Sequence, residues 1–232
     1  MQFFKSQFEK ARSGWQFPFA DKAGESLKTI RARRWLQTAL LAWGILAVAL
    51  CIKVLAEGNK HSVYGAFVRG PRAWWANSEM YDTRGYYYSP TFAVLFTPFA
   101  VLPDRVGQML WGLVSVGALV WSLRMFYRRV LPKHWPGEAE AIFLLLTMAG
   151  ALRGIWSLQS NALILACVLF ASAAIVQARW WRASWWLAGP VYIKLWPIVA
   201  ASLLGIQWPK KLIGPLAVAC LTFGAIPFLT KP

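Results

Sequence analysis

Long apolar runs alternate with short polar clusters along the chain, and the runs define the elements. Apolar residues fill 35–56. As a helix rising ~1.5 Å per residue, this run is long enough to cross a hydrocarbon core of ~30 Å. Lys53 lies near its far end and can reach the interface by snorkelling. The next run, 91–102, is bounded by Pro90 and Pro103 and interrupted by Pro98. It would cover only about 18 Å as a helix, so it is either a short kinked span, extended upstream through Tyr86, Tyr87 and Tyr88, or a re-entrant segment. Further runs follow at 106–126, 141–151, 157–177, 184–205 and 209–229, with Pro132 and Pro136 breaking the polar connection after the third. The pattern predicts an all-α, polytopic transmembrane helical bundle over 35–229 with about six or seven spans. The runs are apolar on all sides and lack the period-two alternation of barrel strands, which argues against a β-barrel.

Composition and charge refine this picture. Only 15% of the residues are charged against 58% hydrophobic, and the charges gather at the edges of the runs, where water or headgroups can solvate them. The net charge of +16 would suit nucleic acid in a soluble protein. No basic reading helix or zinc spacing accompanies it, and anionic membrane lipids account for it without nucleic acid. Lys22, Lys28, Arg31, Arg33 and Arg34 precede the first run, so residues 1–34 read as a cytoplasmic basic segment, of which 24–34 suits an interfacial helix. Residues 57–88 then form an extracytoplasmic loop carrying Glu57, Glu79 and Asp82, three of nine acids. The implied location is the cell (inner) membrane, in a multi-pass arrangement. Beyond the first span, charge leaves the topology open. Arg128, Arg129 and Lys133, then Arg179 and Arg182, then Lys210 and Lys211 all read as cytoplasmic, and they cannot all be so if every intervening run crosses once. Cys51, Cys167 and Cys220 lie in or beside apolar runs at spacings that suit neither a metal site nor a disulfide framework, and read as packing residues. Trp35, Trp74, Trp75, Trp135, Trp180, Trp181, Trp185, Trp186 and Trp208 mark run ends, as interfacial indoles do.

A few polar residues stand where hydrocarbon would reject them. Lys194 falls inside Val191–Pro197; a lysine at the centre of a membrane helix costs ~2.5–3.5 kcal/mol. It is either snorkelling from a span with shifted boundaries or a cationic contact for a phosphate. Gln159 and Asn161 open the 157–177 run and require partners, either on neighbouring helices or among the hydroxyls of a sugar. Arg153 just before them can pair with phosphate oxygens. In the loop, Asp82 is either a base for a sugar hydroxyl or the ion-pair partner of Arg84. His61 is either a proton acceptor near neutral pH or a solvated loop residue. No phosphate-cradling loop, zinc motif or nucleophile elbow is present, so any chemistry lies in or above the bundle.

Four ordered landmarks resemble glycosyltransferase family 87. They are Val63-Tyr64 with Met80-Tyr81-Asp82; the tyrosine-rich start at Pro90 with the closing Leu102-Pro103; Leu158-Gln159-Ser160-Asn161, where the family favours Gly-Gln-x-Asn; and Lys194-Leu195-Trp196-Pro197, like the family's Lys-x-x-Pro. Together they extend over about 35–210. The resemblance implies a GT-C-like bundle that moves a sugar, typically mannose, from a polyprenyl-phosphate donor to a lipid or glycan acceptor, with no metal or cofactor. It implies an active site at the first extracytoplasmic loop and the adjoining helix ends. Asp82 or His61 would be catalytic, and Arg84, Tyr88, Arg153, Gln159, Asn161 and Lys194 would contact substrate. Two departures stand out. Lys60 and His61 occupy the place of the family's early acid, and the chain is short for the family, which implies a fragment, a reduced paralogue or half of a complex. The alternative reading is a non-catalytic membrane scaffold or lipid-binding subunit derived from such an enzyme, working with a membrane protein partner.

Overall fold

The computed structural model describes residues 24–58, 60–81, 86–132, 135 and 138–230. These form an all-helical membrane bundle: α1 Gly24–Glu57, α2 Tyr64–Trp75, α3 Pro90–Ala100, α4 Asp104–Arg129, α5 Ala139–Trp156, α6 Asn161–Val176, α7 Trp180–Ile193, α8 Pro197–Gln207 and α9 Pro209–Thr230. Among the described residues, four helices are long and apolar enough to cross a membrane: Thr29–Glu57 within α1, then α4, α5 and α9. The 24–34 stretch is the first part of α1 rather than a separate interfacial helix.

Two kinds of apolar face make the bundle. On α1, Ala39, Trp43, Leu46, Leu50 and Val54 recur every three or four residues and are buried, while Leu41, Ile45, Val48, Ile52 and Leu55 lie exposed on the other side. A helix that is apolar on its exposed face as well is suited to lipid rather than water. The buried face of α4 carries Gly107, Gly112, Ser115 and Ser122, and that of α6 carries Ala162, Ala166, Ala171, Ala173 and Ala174. Small residues let neighbouring helices approach closely, as in membrane helix packing generally: Gly107 faces Tyr64 and the Phe99 carbonyl, and Gly112 faces Leu50 and Leu158. Trp43 and Trp111 are core residues rather than interfacial ones. Their indole N–H groups donate to the carbonyls of Leu144 (3.2 Å) and Leu158 (3.0 Å).

Side-chain bonds fix which helix ends lie together. At one end, here the loop end, Lys53 of α1 meets the carbonyl of Trp156 at 2.6 Å, and the amide of Val63 meets that of Ser157 at 3.1 Å. Tyr64 donates to the Phe99 carbonyl at 2.8 Å, Arg72 pairs with Asp104 at 2.7 Å, and Ser89 donates to the Tyr192 carbonyl. At the opposite end, Arg31 pairs with Glu138 at 3.4 Å, and buried Glu140 accepts from Arg124 (3.0 Å) and Arg128 (3.2 Å). There too the Trp180 and Trp208 rings lie 6.1 Å apart, with the Lys211 ammonium 5.2 Å from the Trp180 ring.

This pairing bears on the arrangement that charge left open. Helix α3 begins beside Tyr192 and ends beside α4's first turn, so both its ends lie at the loop end and it does not traverse the bundle. The Ser89 hydroxyl caps it by accepting from the Phe92 amide at 3.1 Å, with Pro90 in the first turn, where its missing N–H is harmless. The 184–205 run is two helices, not one. Lys194 is extended (φ −144°, ψ 149°) at the end of α7, and α8 restarts at Pro197 and returns to the opposite end. Both changes bring Arg31, Arg33 and Arg34, Arg128 and Arg129, Arg179 and Arg182, and Lys210 and Lys211 to the same end of the bundle.

A candidate substrate site at the loop end

The turn between α5 and α6 and the break between α7 and α8 meet at the loop end. Leu158 makes the first turn possible in a left-handed conformation (φ 56°), which an ordinary side chain adopts only under constraint. It is buried, and its carbonyl holds Trp111. The family pattern favours glycine at this position, and the backbone shows why: glycine takes this conformation without a steric penalty. The turn then presents Gln159 and Asn161 side by side, the Asn161 amide donating to Gln159 Oε1 at 2.8 Å. From the helix break, Lys194 Nζ donates to Asn161 Oδ1 at 2.9 Å. Three residues, with Lys194 33 positions beyond Asn161, thus form one chain of hydrogen bonds ending in an ammonium group. Asn161 is exposed and Gln159 and Lys194 are half-buried, so the cluster opens to the surface. Lys194 is not in the middle of a membrane helix; it sits at a helix end.

The other sequence-derived candidates fall as follows. Arg153 is exposed in the last turn of α5, one turn before Ser157. His61 is exposed, with φ 55°, in the turn after α1. Tyr88 is half-buried in an aromatic cluster, its ring 5.0 Å from Phe67, 5.5 Å from Tyr86 and 5.3 Å from Phe92, which makes it a packing residue at the least. Burial pushes the Tyr88 phenol above its ordinary range. Asp82 and Arg84 lie outside the described residues.

Sequence reasoning missed three features of this end. Asp104 begins α4 immediately after Leu102-Pro103 and pairs with Arg72 beside a groove of about 200 Å³ that also borders Tyr64 and Arg69. Desolvation, with the Asp104 charge adding to it and Arg72 partly offsetting it, pushes the Tyr64 phenol up to about 12, so it stays a donor to the Phe99 carbonyl. Lys53, expected to snorkel to the interface, is instead buried at 7% exposure, held by the Trp156 carbonyl and lying over the Trp156 ring at 5.2 Å. Gln108, one turn into α4, is fully buried, and neither its amide oxygen nor its nitrogen has a partner among the described residues. Only the spacing Asp104–Gln108 (i, i+4) could have signalled a polar path down α4 from sequence.

The described residues thus form an all-helical membrane bundle with an amide and lysine cluster at its loop end. The family model for glycosyltransferase family 87 matches residues 86–232, more than half of the chain, and the chain belongs to that family. The match takes in three of the four landmarks and leaves the 63–82 landmark outside it. No curated protein and no solved structure matches the chain. The family assigns glycosyl transfer, and with it a sugar donor and an acceptor in general terms.

Proposed function

We propose that the chain transfers a hexose, mannose in the leading form, from a polyprenyl-phosphate donor to a lipid or glycan acceptor at the loop end of the bundle. The observation that carries this reading is the Lys194–Asn161 hydrogen bond. It joins two motifs far apart in sequence into one cationic, amide-lined cluster where α6 begins and α7 ends. In the proposed site the Lys194 ammonium, with Arg153 on the same end shortly before Gln159, faces the donor phosphate. Gln159 and Asn161 offer amides to sugar hydroxyls. The acceptor oxygen attacks the anomeric carbon as the bond from that carbon to the phosphate oxygen breaks. The electron pair leaves with polyprenyl phosphate, and the acceptor proton passes to Asp82 or His61. A fixed cation at the phosphate stabilises the charge that grows there in the transition state.

The reading also orients the protein. With all the basic clusters named above at the end opposite the site, the positive-inside rule puts that end, and residues 1–34, in the cytoplasm of a cell membrane. The loop end, with 57–88, is then extracytoplasmic. Seven helices cross in this arrangement, α1 and α4 to α9. Helix α8, at about 16 Å, crosses with the aid of local bilayer thinning and its flanking Trp196 and Trp208.

The test is transfer by the purified protein in nanodiscs from radiolabelled polyprenyl-phosphate mannose to a panel of lipid and glycan acceptors. Label appearing in acceptor supports the reading, and the absence of both donor binding and transfer overturns it. Donor binding without transfer would favour the second reading, a lipid-binding subunit. Exposed Lys60 and His61 at the place of the family's early acid are what favour that one.

A further inference from the structure

The end of α1 far from the loop end carries chemistry that the substrate cluster does not use. Arg31, Arg34 and Thr38 recur at three- and four-residue intervals and so share one face. With Ile30 and Trp35 they border a groove of about 590 Å³. That volume lies within the ~300–1,000 Å³ of sites that take a small organic group. The charges here favour an anion. Arg31 is shared with Glu138 at 3.4 Å and stays largely exposed. Arg34 is exposed and has no ion-pair partner among the described residues. The Thr38 hydroxyl donates to the Arg34 carbonyl at 3.1 Å, so the charged donors at the groove are the two guanidinium groups. Among the described residues no carboxylate borders the groove, so a quaternary or primary ammonium headgroup finds no counter-charge in it.

The same face continues down α1 as an apolar strip. Leu41, Ile45, Val48 and Ile52 follow Arg34 and Thr38 at the same spacing and are 60–64% exposed. At 3.6 residues per turn these four lie within about 40° of Arg34 around the helix axis. Arg34 to Ile45 spans ~16 Å along the axis, about one leaflet of a ~30 Å hydrocarbon core. A free guanidinium above one leaflet's depth of exposed apolar surface matches a phosphate that carries an acyl chain. A free phosphate would use only the head of this seam. We propose that the seam binds one anionic glycerophospholipid, its phosphate held by Arg34 and Arg31 and one acyl chain lying along Leu41, Ile45 and Val48. This site is at the opposite end from Lys194 and does not depend on the glycosyl-transfer reading.

The experiment is native mass spectrometry of the full chain released from detergent after equilibration with dioleoyl phosphatidylglycerol, dioleoyl phosphatidylcholine or the water-soluble headgroup glycerophosphoglycerol. Wild type is expected to retain one phosphatidylglycerol in preference to phosphatidylcholine, and the headgroup alone is expected not to displace it. Arg34→Gln should weaken that binding by about tenfold or more, the worth of one charge-assisted hydrogen bond. Arg33→Gln removes the same charge from an exposed position about 100° away around the helix, and should leave the affinity close to that of wild type. Equal losses in the two variants would show a diffuse field rather than a site and overturn the proposal. Retention of phosphatidylcholine as strong as that of phosphatidylglycerol would overturn it as well. Displacement by glycerophosphoglycerol as effective as by the lipid would show that the apolar strip contributes nothing, and would overturn the lipid as occupant. None of these outcomes touches donor binding or transfer at the loop end.

Discussion

Replacing Gly107 with alanine tests how the loop end is held together. A Cβ at Gly107 would stand 2.0 Å from the Tyr64 hydroxyl oxygen and 2.4 Å from the Phe99 carbonyl oxygen. Ordinary carbon–oxygen contacts lie at ~3.3–3.6 Å, so the methyl intrudes by about an ångström or more on both. The Phe99 oxygen is backbone and cannot rotate away, and Tyr64 is tied to it at 2.8 Å. The substitution must therefore push α4 away from α3 or break that hydrogen bond. Overpacking of this kind costs ~1–3 kcal/mol. Leaving a buried polar group without its partner costs ~1–3 kcal/mol. The better helix propensity of alanine returns ~1 kcal/mol. The net loss is about 3 kcal/mol. Gly117, on the exposed side of the same helix, is the control: a Cβ there meets nothing within 4 Å, so Gly117→Ala should be neutral or gain up to ~1 kcal/mol. Both variants can be compared by reversible denaturation in mixed micelles, followed by tryptophan fluorescence. Equal stability of the two alanine variants would refute the close approach of α2, α3 and α4 at this point.

Two further outcomes follow from the rest of the bundle. In a background lacking Cys51, Cys167 and Cys220, a cysteine replacing Leu195 should react with an impermeant maleimide from the extracytoplasmic face, and one replacing Lys210 only from the cytoplasmic face; labelling of both from one side would contradict the α7–α8 hairpin. Glu140→Gln leaves Arg124 and Arg128 without their shared carboxylate and should destabilise the protein by about 1.5–3 kcal/mol, read in the same denaturation assay, where an unchanged midpoint would show the cluster to be dispensable.

How much of this was legible in the sequence differs from element to element. The apolar runs gave α1, α4 and α9 because length and hydropathy are what a bilayer selects, whereas the short 141–151 run proved to be the middle of α5, which continues through Arg153 to Trp156. The 91–102 run left two readings, and only tertiary bonds at Ser89 and Tyr64 decide for a helix that stays at one end. The break at Lys194 was hidden because Leu195 and Trp196 keep the run apolar through it, and a hydropathy pattern registers no change of direction. Its clue was chemical: a lysine two residues before a Trp-Pro pair, too costly in hydrocarbon to sit mid-span. The topology conflict among basic clusters was a further symptom of the same missing turn. At the site, the motifs marked Gln159, Asn161 and Lys194, and these do come together. The groove at Asp104 was not legible, because an acid that opens a helix also reads as a favourable dipole partner, and its partner Arg72 lies 32 residues away.

The most direct test of the central claim is the dissociation constant of polyprenyl phosphate for wild type and Lys194→Met in nanodiscs of neutral lipid. A charge-assisted contact of this kind is worth about 1.5–3 kcal/mol, roughly a ten- to hundredfold change in affinity. The account predicts weakening in that range, with a folded variant and a smaller loss for Asn161→Ala, which keeps the ammonium but removes its 2.9 Å support. An affinity for Lys194→Met equal to wild type would contradict it and remove the Lys194–Asn161 cluster from the donor site.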